Sequence, residues 1–289
     1  VTVKLSDEGT YHITVGCTDM GTGCDTIVAQ FAADVLETPI DNISVYGVDT
    51  DISPYDSGSY ASSTTYLTGM AAVKACEQLR ERIIALAAVR MNKDASALTF
   101  DGENVIDESD GAKMSLFDIA TASMCNNEIS LEVTYSHSSP VSPPPFMAAC
   151  AEIEADPETG AIELLDYTAC VDCGTVVNTN LARVQPGGGL LQGIGMTLYE
   201  DIWYDERGKN LSNSFMQYKV PSRLDTDRIR VEFDSSYEPT GPFGAKSIGE
   251  IVINTPAPAI ADAVYNATGV WINELPITPE KILKGMKVI

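Results

Sequence analysis

Glu250 is the residue of this sequence with the clearest chemical promise. It closes the run Gly241-Pro-Phe-Gly-Ala-Lys-Ser-Ile-Gly-Glu250 and is followed by Ile251-Val-Ile253. A loop carboxylate is ordinarily only solvated. One that a glycine turn delivers among apolar neighbours is suited to take a proton near neutral pH. Three further glycine-rich segments precede stretches of helical periodicity: Met20-Gly-Thr-Gly23, residues 57–65, and Gly187-Gly-Gly-Leu-Leu-Gln192-Gly-Ile-Gly195. Successive backbone N–H groups in such loops, at the positive end of a helix, suit a phosphate or a polar heterocycle. One loop of this kind usually makes only a tight turn; four in one acidic chain point to an extended anionic ligand. None has the spacing of a Walker loop or a dinucleotide fingerprint. Lys246 is read equally well as an anion contact or a surface lysine. Tyr60 and Phe243 stand in these loops and could face a flat substrate.

Metal-ligating patterns are weak. Cys170-Val-Asp-Cys173 is half a metal site, but no second cysteine pair stands at a suitable distance, and the segment reads as a strand end. The two histidines, His12 and His137, are far apart in the chain and make no ligand set. Seven cysteines without regular spacing argue against a disulfide framework and for a reducing cytoplasm. The other cysteines read as small core residues.

The elements that must position these groups follow from periodicity and punctuation. A hairpin is expected over residues 1–16. A helix follows the first glycine loop, with Ile27, Phe31 and Val35 in one row, Val28, Ala32 and Leu36 in the next, and Pro39 ending it. A strand at 43–48 comes next, then a long helix over 68–91 with Val73, Cys76, Leu79, Ile83 and Leu86 at helical spacing. Strands are expected at 97–101, 129–135, 148–155 and 161–171, the last two joined by the turn Asp156-Pro-Glu-Thr-Gly160. Gly187-Gly-Gly should open a helix, 229–233 is a strand, and Thr255-Pro256 and Thr278-Pro279 are helix starts, Gly269 being a helix stop. Without regular βαβ alternation the class is α+β.

The 289 residues, 44% hydrophobic, allow one large domain over 1–289, or two intimate subdomains with discontinuous boundaries. A net charge of −23 would repel phosphate backbones and anionic membrane surfaces, so neither nucleic acid nor membrane is an expected partner. No apolar run reaches the roughly 18 residues of a membrane helix. The chain opens on a strand, as the middle of something larger would, or a subunit whose first segment was removed, and no signal peptide is apparent.

Several motifs, taken in order, resemble the second molybdenum-cofactor-binding domain of the xanthine dehydrogenase/aldehyde oxidase family. Gly244-Ala-Lys-Ser-Ile-Gly-Glu250, Thr255-Pro-Ala-Pro-Ala-Ile-Ala-Asp-Ala-Val-Tyr-Asn-Ala-Thr-Gly269 and Glu274-Leu-Pro-Ile-Thr-Pro-Glu-Lys-Ile-Leu283 resemble that family's C-terminal signature. Asp19-Met-Gly-Thr-Gly23, Ala61-Ser-Ser-Thr-Thr-Tyr66, Gly189-Leu-Leu-Gln-Gly-Ile-Gly-Met-Thr-Leu-Tyr-Glu200 and Asn213-Ser-Phe-Met-Gln-Tyr-Lys-Val-Pro221 agree as well. The resemblance covers essentially the whole chain.

It implies a molybdopterin, expected in the cytosine dinucleotide form, whose dithiolene holds molybdenum so that no protein metal ligand is needed. It implies hydroxylation of an electron-poor carbon with water-derived oxygen, and electron transfer through [2Fe-2S] clusters and FAD on partner subunits. By the resemblance Glu250 is the catalytic base. Met20, Gly21, Thr22 and Gly23 line the pterin; Ala61, Ser62 and Ser63 meet cofactor and pocket; Gln192 and Gly249 also bind the cofactor. Thr22 replaces the family's usual glutamine, which shortens one amide contact. The expected partners are a first-molybdenum-domain subunit, an iron–sulfur subunit and an FAD subunit. The expected substrate is an N-heteroaromatic such as nicotinate or a purine, with an aldehyde or carbon monoxide as alternative. The rival reading is a non-catalytic scaffold of the same family.

Overall fold

The computed structural model describes residues 1–124, 129–225 and 228–289. The chain divides into two compact units, each built from two stretches: Val1–Pro143 with Tyr237–Ser247, and Pro144–Ser236 with Ile248–Ile289.

The first unit begins with β1 (Thr2–Leu5) and β2 (Tyr11–Thr14), the expected hairpin, then α1 (Cys24–Leu36), β3 (Ile43–Tyr46) and the long α2 (Gly69–Met91). It continues with β4 (Leu98–Phe100), β5 (Asn104–Asp107), β6 (Lys113–Ser115), α3 (Leu116–Met124) and β7 (Glu132–Thr134). One sheet has the order β3-β2-β1-β7, and β4-β5-β6 form a small antiparallel sheet. Because β2 and β3 run parallel, α1 is the crossover between them, and the 18–23 loop leads from the C-terminal side of β2 into its helix. Both expected rows of α1 are at least partly buried, and Val73, Cys76, Leu79, Ile83 and Leu86 of α2 are fully so. Each large aliphatic side chain buried this way contributes roughly 1.5–3 kcal/mol. α1 ends at Glu37, a left-handed cap with φ 52°, two residues before Pro39. Sequence periodicity did not reveal β5, β6 or α3, which are too short for a period to show. Of the strand expected at 129–135, only Glu132–Thr134 is a strand. Cys125 lies outside the described residues.

The Tyr11 hydroxyl is buried and finds no hydrogen-bond partner among the described residues, and burial pushes its pKa up, well above the ordinary phenol range. Leaving such a group unsatisfied costs about 1–3 kcal/mol. Tyr11→Phe is therefore expected to be neutral or stabilising by up to about that amount, measured as a shift of the denaturant midpoint at constant slope.

The second unit contains β8 (Phe146–Ala155), β9 (Ile162–Asp172), α4 (Thr179–Leu198), β10 (Ile229–Asp234), α5 (Pro256–Thr268) and α6 (Pro279–Gly285). β8 and β9 form the expected hairpin, with a bulge at Glu152/Ile153. β9 and β10 are parallel, so α4 lies in a second crossover. Tyr167, Ala169, Leu190, Ile194, Ile260, Val264, Ile277 and Ile282 form the core. The fold is α+β, as expected, with two parallel crossovers that the pattern of the sequence did not expose.

Two local expectations are corrected. Gly187-Gly-Gly does not open a helix: α4 begins eight residues earlier, at Thr179, where the Asn178 side chain accepts from the N–H groups of Asn180 and Leu181. Pro186 and the glycines lie inside the helix, where tertiary packing overrides their poor propensity. Thr255 precedes α5 but makes no side-chain cap; its hydroxyl instead accepts from Tyr167 at 2.9 Å. Thr278 does cap α6, and Gly269 ends α5 with φ 72°.

Candidate functional site

In the first unit the candidate residues stand on two loops. The first leaves β2 at Gly16 and enters α1 at Cys24. Thr18, Asp19, Met20, Gly21 and Thr22 are all exposed. The Asp19 carboxylate accepts from Gly21 N–H at 2.8 Å and Gly23 N–H at 3.1 Å. This closes a tight Asx-type turn, for which Gly21 takes φ 101°. The expected row of available N–H groups is therefore corrected: Asp19 already occupies two of them. A Cβ at Gly21 would meet no atom within 4 Å, so this face of the loop is open.

The second loop carries Ala61, Ser62 and Ser63 into a π-type turn over Thr64–Thr68 and on into α2. Ala61 and Ser62 hold φ 52° and 57°, a region that non-glycine residues occupy only when their surroundings impose it. Ser63 Oγ donates to Gly58 O at 3.1 Å.

Asp56, missed in the sequence, ties the two loops together. Its Oδ1 accepts from Gly58 N–H at 2.8 Å and its Oδ2 from Thr68 Oγ1 at 3.1 Å. Its Cβ lies 2.8 Å from where a Cβ on Gly16 would stand. The signal was present: Asp19-Met-Gly21 and Asp56-Ser-Gly58 share the Asp-x-Gly pattern of an Asx turn.

Residues 237–247 complete this unit from far along the chain. Tyr66 donates to Thr240 Oγ1 at 2.7 Å, and Phe243 stacks on Phe31 with centroids 5.9 Å apart and planes 16° from parallel. Lys246 is only 7% exposed, which removes the surface reading.

In the second unit the catalytic candidate is held by its backbone. Gln185 Nε2 donates to Gly249 O at 2.9 Å. Glu250 follows, and the turn Ile251–Ile253 buries Val252. A Cβ on Gly189 would stand 2.1 Å from Val252 Cγ2; one on Gly193 would stand 2.6 Å from Pro256 Cγ and 3.0 Å from Ile253 O. Gln185, Gly189 and Gly193 recur at intervals of four, so one face of α4 is the seat on which residues 249–256 rest. The Tyr167–Thr255 bond fixes the far end. Contrary to the apolar enclosure expected of it, the Glu250 side chain is exposed: the apolar neighbours that follow it pack against α4 instead. Gln192, seven residues beyond Gln185, projects from the same side of α4 and is exposed. The structure offers no reason for glycine at 187 or 188, where a Cβ would meet nothing.

Cys170 and Cys173 form no metal cluster among the described residues; the single group with metal-ligand spacing there is Asp19, Cys24 and Asp25. Cys17, Cys24 and Cys76 are buried as expected; Cys150 corrects that expectation, being exposed on the β8–β9 hairpin, where alternate residues face out, as is Cys170, while Cys173 is buried.

A family model described as a molybdopterin cofactor-binding domain matches residues 1–227, which include both loops and Gln192. Probable hypoxanthine oxidase XdhD of Escherichia coli is 38% identical over 289 residues, covering 99% of this chain and 30% of that protein. The gamma subunit of the 6-hydroxypseudooxynicotine dehydrogenase complex of Paenarthrobacter nicotinovorans is 32% identical, covering 97% of this chain and 36% of its own length. Among solved structures, quinoline 2-oxidoreductase from Pseudomonas putida 86 matches with a TM-score of 0.90 at 28% identity, over 99% of this chain and 38% of that one. The chain thus spans about a third of the length of these relatives.

Proposed function

The chain belongs to the molybdopterin cofactor-binding domain family, as found in molybdenum-binding subunits of xanthine dehydrogenase/aldehyde oxidase enzymes, and from that premise we propose that it is the part of a multi-subunit hydroxylase that holds the pterin and supplies the base. The observation that carries the reading is the seating of Glu250: an exposed carboxylate on a turn whose backbone is fixed on both sides. The pterin fits the first loop, where the open face of Gly21 lets a flat polar ring approach the backbone closely. Met20, Gly21, Thr22, Gly23, Ala61, Ser62, Ser63, Gln192 and Gly249 are the residues that would hold it, in its cytosine dinucleotide form.

When bound, the cofactor supplies molybdenum redox chemistry with oxygen derived from water. Glu250 accepts, at a carboxylate oxygen, the proton of the water-derived hydroxyl that ends on the product, and can orient a ring nitrogen of the substrate. Thr22, shorter than glutamine, leaves room beside the pterin. The named substrates of the relatives, hypoxanthine, quinoline and 6-hydroxypseudooxynicotine, support a nitrogen-bearing aromatic ring for this chain, a purine or nicotinate among them. That one relative is the gamma subunit of a dehydrogenase complex supports partner subunits here, which would carry the first molybdenum domain, the [2Fe-2S] clusters and FAD. So do the exposed Trp203, Tyr204, Phe215 and Met216, apolar surface of the kind that partners cover.

The test is a loop variant. Gly21→Val forces a branched side chain to φ 101° and fills the open face. Strain of roughly 1–3 kcal/mol in the loop follows, and the side chain would occupy the space through which the ring is proposed to approach. Molybdenum content of the purified complex should fall while its circular dichroism stays unchanged; full metal occupancy would remove the loop from the site.

A further inference from the structure

Two thiols stand at the neck of the 18–23 loop. Cys17 precedes it and Cys24 is the first residue of α1; they are 1% and 4% exposed, and their sulfurs are 3.8 Å apart in a shared hydrogen bond. We propose that Cys17 and Cys24 form a site of reversible oxidation, at which a peroxide closes a disulfide across the base of the loop. A disulfide needs about 2.05 Å between sulfurs, so from 3.8 Å the pair must approach by less than ~2 Å.

The chemistry balances as follows. The Cys17 thiolate attacks one oxygen of hydrogen peroxide; the O–O bond breaks, hydroxide leaves, and Cys17 becomes a sulfenic acid. Cys24 then attacks the Cys17 sulfur, the S–O bond breaks, and the oxygen leaves as water with the Cys24 proton. Two thiols and one peroxide give one disulfide and two waters, the two electrons passing from sulfur to peroxide. A dithiol reverses the step by exchange.

The roles follow from the surroundings. The hydrogen bond shared with Cys24 holds the Cys17 thiol below the usual range, so Cys17 is the attacking sulfur. The same bond, burial and the neighbouring Asp25 push Cys24 up. Cys76, buried in α2, is pushed up to about 12 by desolvation and lacks that assistance. Cys150 and Cys170 are exposed but not opposite one another: Cys150 pairs with Thr168 and Cys170 with Ala148. The oxidation chemistry stands apart from the cofactor reading; only its effect on the loop rests on that reading.

The experiment treats the purified native complex with hydrogen peroxide, then denatures it, alkylates it and cleaves at aspartate. Asp19 lies between the two cysteines, so a disulfide leaves two peptides joined. The expected result is a linked Cys17–Cys24 species, two hydrogens lighter than the reduced pair, with complete loss of alkylation at both and recovery after dithiothreitol. Three results would overturn the proposal. Both thiols alkylate fully at a dose that oxidises Cys150 and Cys170; both go independently to sulfinic or sulfonic acid; or both resist alkylation before any peroxide until a chelator is added, which would mean a thiophilic metal. Molybdenum is measured on the same samples. A linked pair with unchanged molybdenum content supports the oxidation site and counts against the loop as a cofactor contact.

Discussion

Glu250→Gln leaves the fold and the molybdenum content of the complex intact and lowers turnover by at least about 10² to 10⁴, the usual worth of a general base. Glutamine keeps the size of the side chain, and the anchors around it lie elsewhere: Gly249 O on Gln185, Val252 against Gly189, and Thr255 on Tyr167. What is lost is the ability to accept the proton. Glu250→Asp should be nearly as poor, because the carboxylate retreats by one methylene and the fixed backbone cannot follow it. Metal content and the rate of enzyme reduction by substrate are measured on one preparation. A glutamine variant with normal molybdenum and a near-normal rate would take Glu250 out of the mechanism and favour the scaffold reading.

Gly193→Val should reach the same carboxylate indirectly. Its Cβ would stand 2.6 Å from Pro256 Cγ and 3.0 Å from Ile253 O, with two further carbons beyond, so α5 and the turn before it must lift from α4. Overpacking of this kind costs roughly 1–3 kcal/mol of stability, and a displacement near 1 Å at a catalytic group costs about 10²-fold in rate. The expected variant folds, melts lower, and turns over about a hundredfold more slowly. Gly188→Ala separates this from a general helix effect. Its Cβ meets nothing within 4 Å, and alanine favours a helix interior by up to about 1 kcal/mol, so it should gain stability. If Gly193→Val keeps the wild-type rate, α4 does not position Glu250.

Much of the fold was legible because its signals are local. The β1–β2 and β8–β9 hairpins, the buried rows of α1 and α2, and the starts of α5 and α6 follow from periodicity and turn chemistry within a few residues. The candidate site was legible as motifs and not as geometry. Gly187-Gly-Gly looked like a loop because glycine is a poor helix former, yet at Gly189 and Gly193 it is the absence of a side chain that α4 needs, to seat a segment about sixty residues later. The N–H groups at Gly21 and Gly23 seemed available because the sequence does not show where the Asp19 carboxylate turns. Glu250 seemed enclosed because its apolar neighbours are adjacent in sequence, while their packing is set by α4.

Because each unit takes its chain twice, synthesis imposes an order on this protein. The ribosome delivers Phe31 and Tyr66 long before Phe243 and Thr240, the residues that stack on and accept from them. Until most of the second unit has emerged, one aromatic face of α1 and the Tyr66 hydroxyl lack their final partners, and the start of α2 lacks its last support. Chains released before residue 237 would carry both glycine loops on an unfinished frame. The frame of the two loops is therefore finished only once residues 237–247 have been made, so on the proposed reading a pterin would meet its final seat late in synthesis.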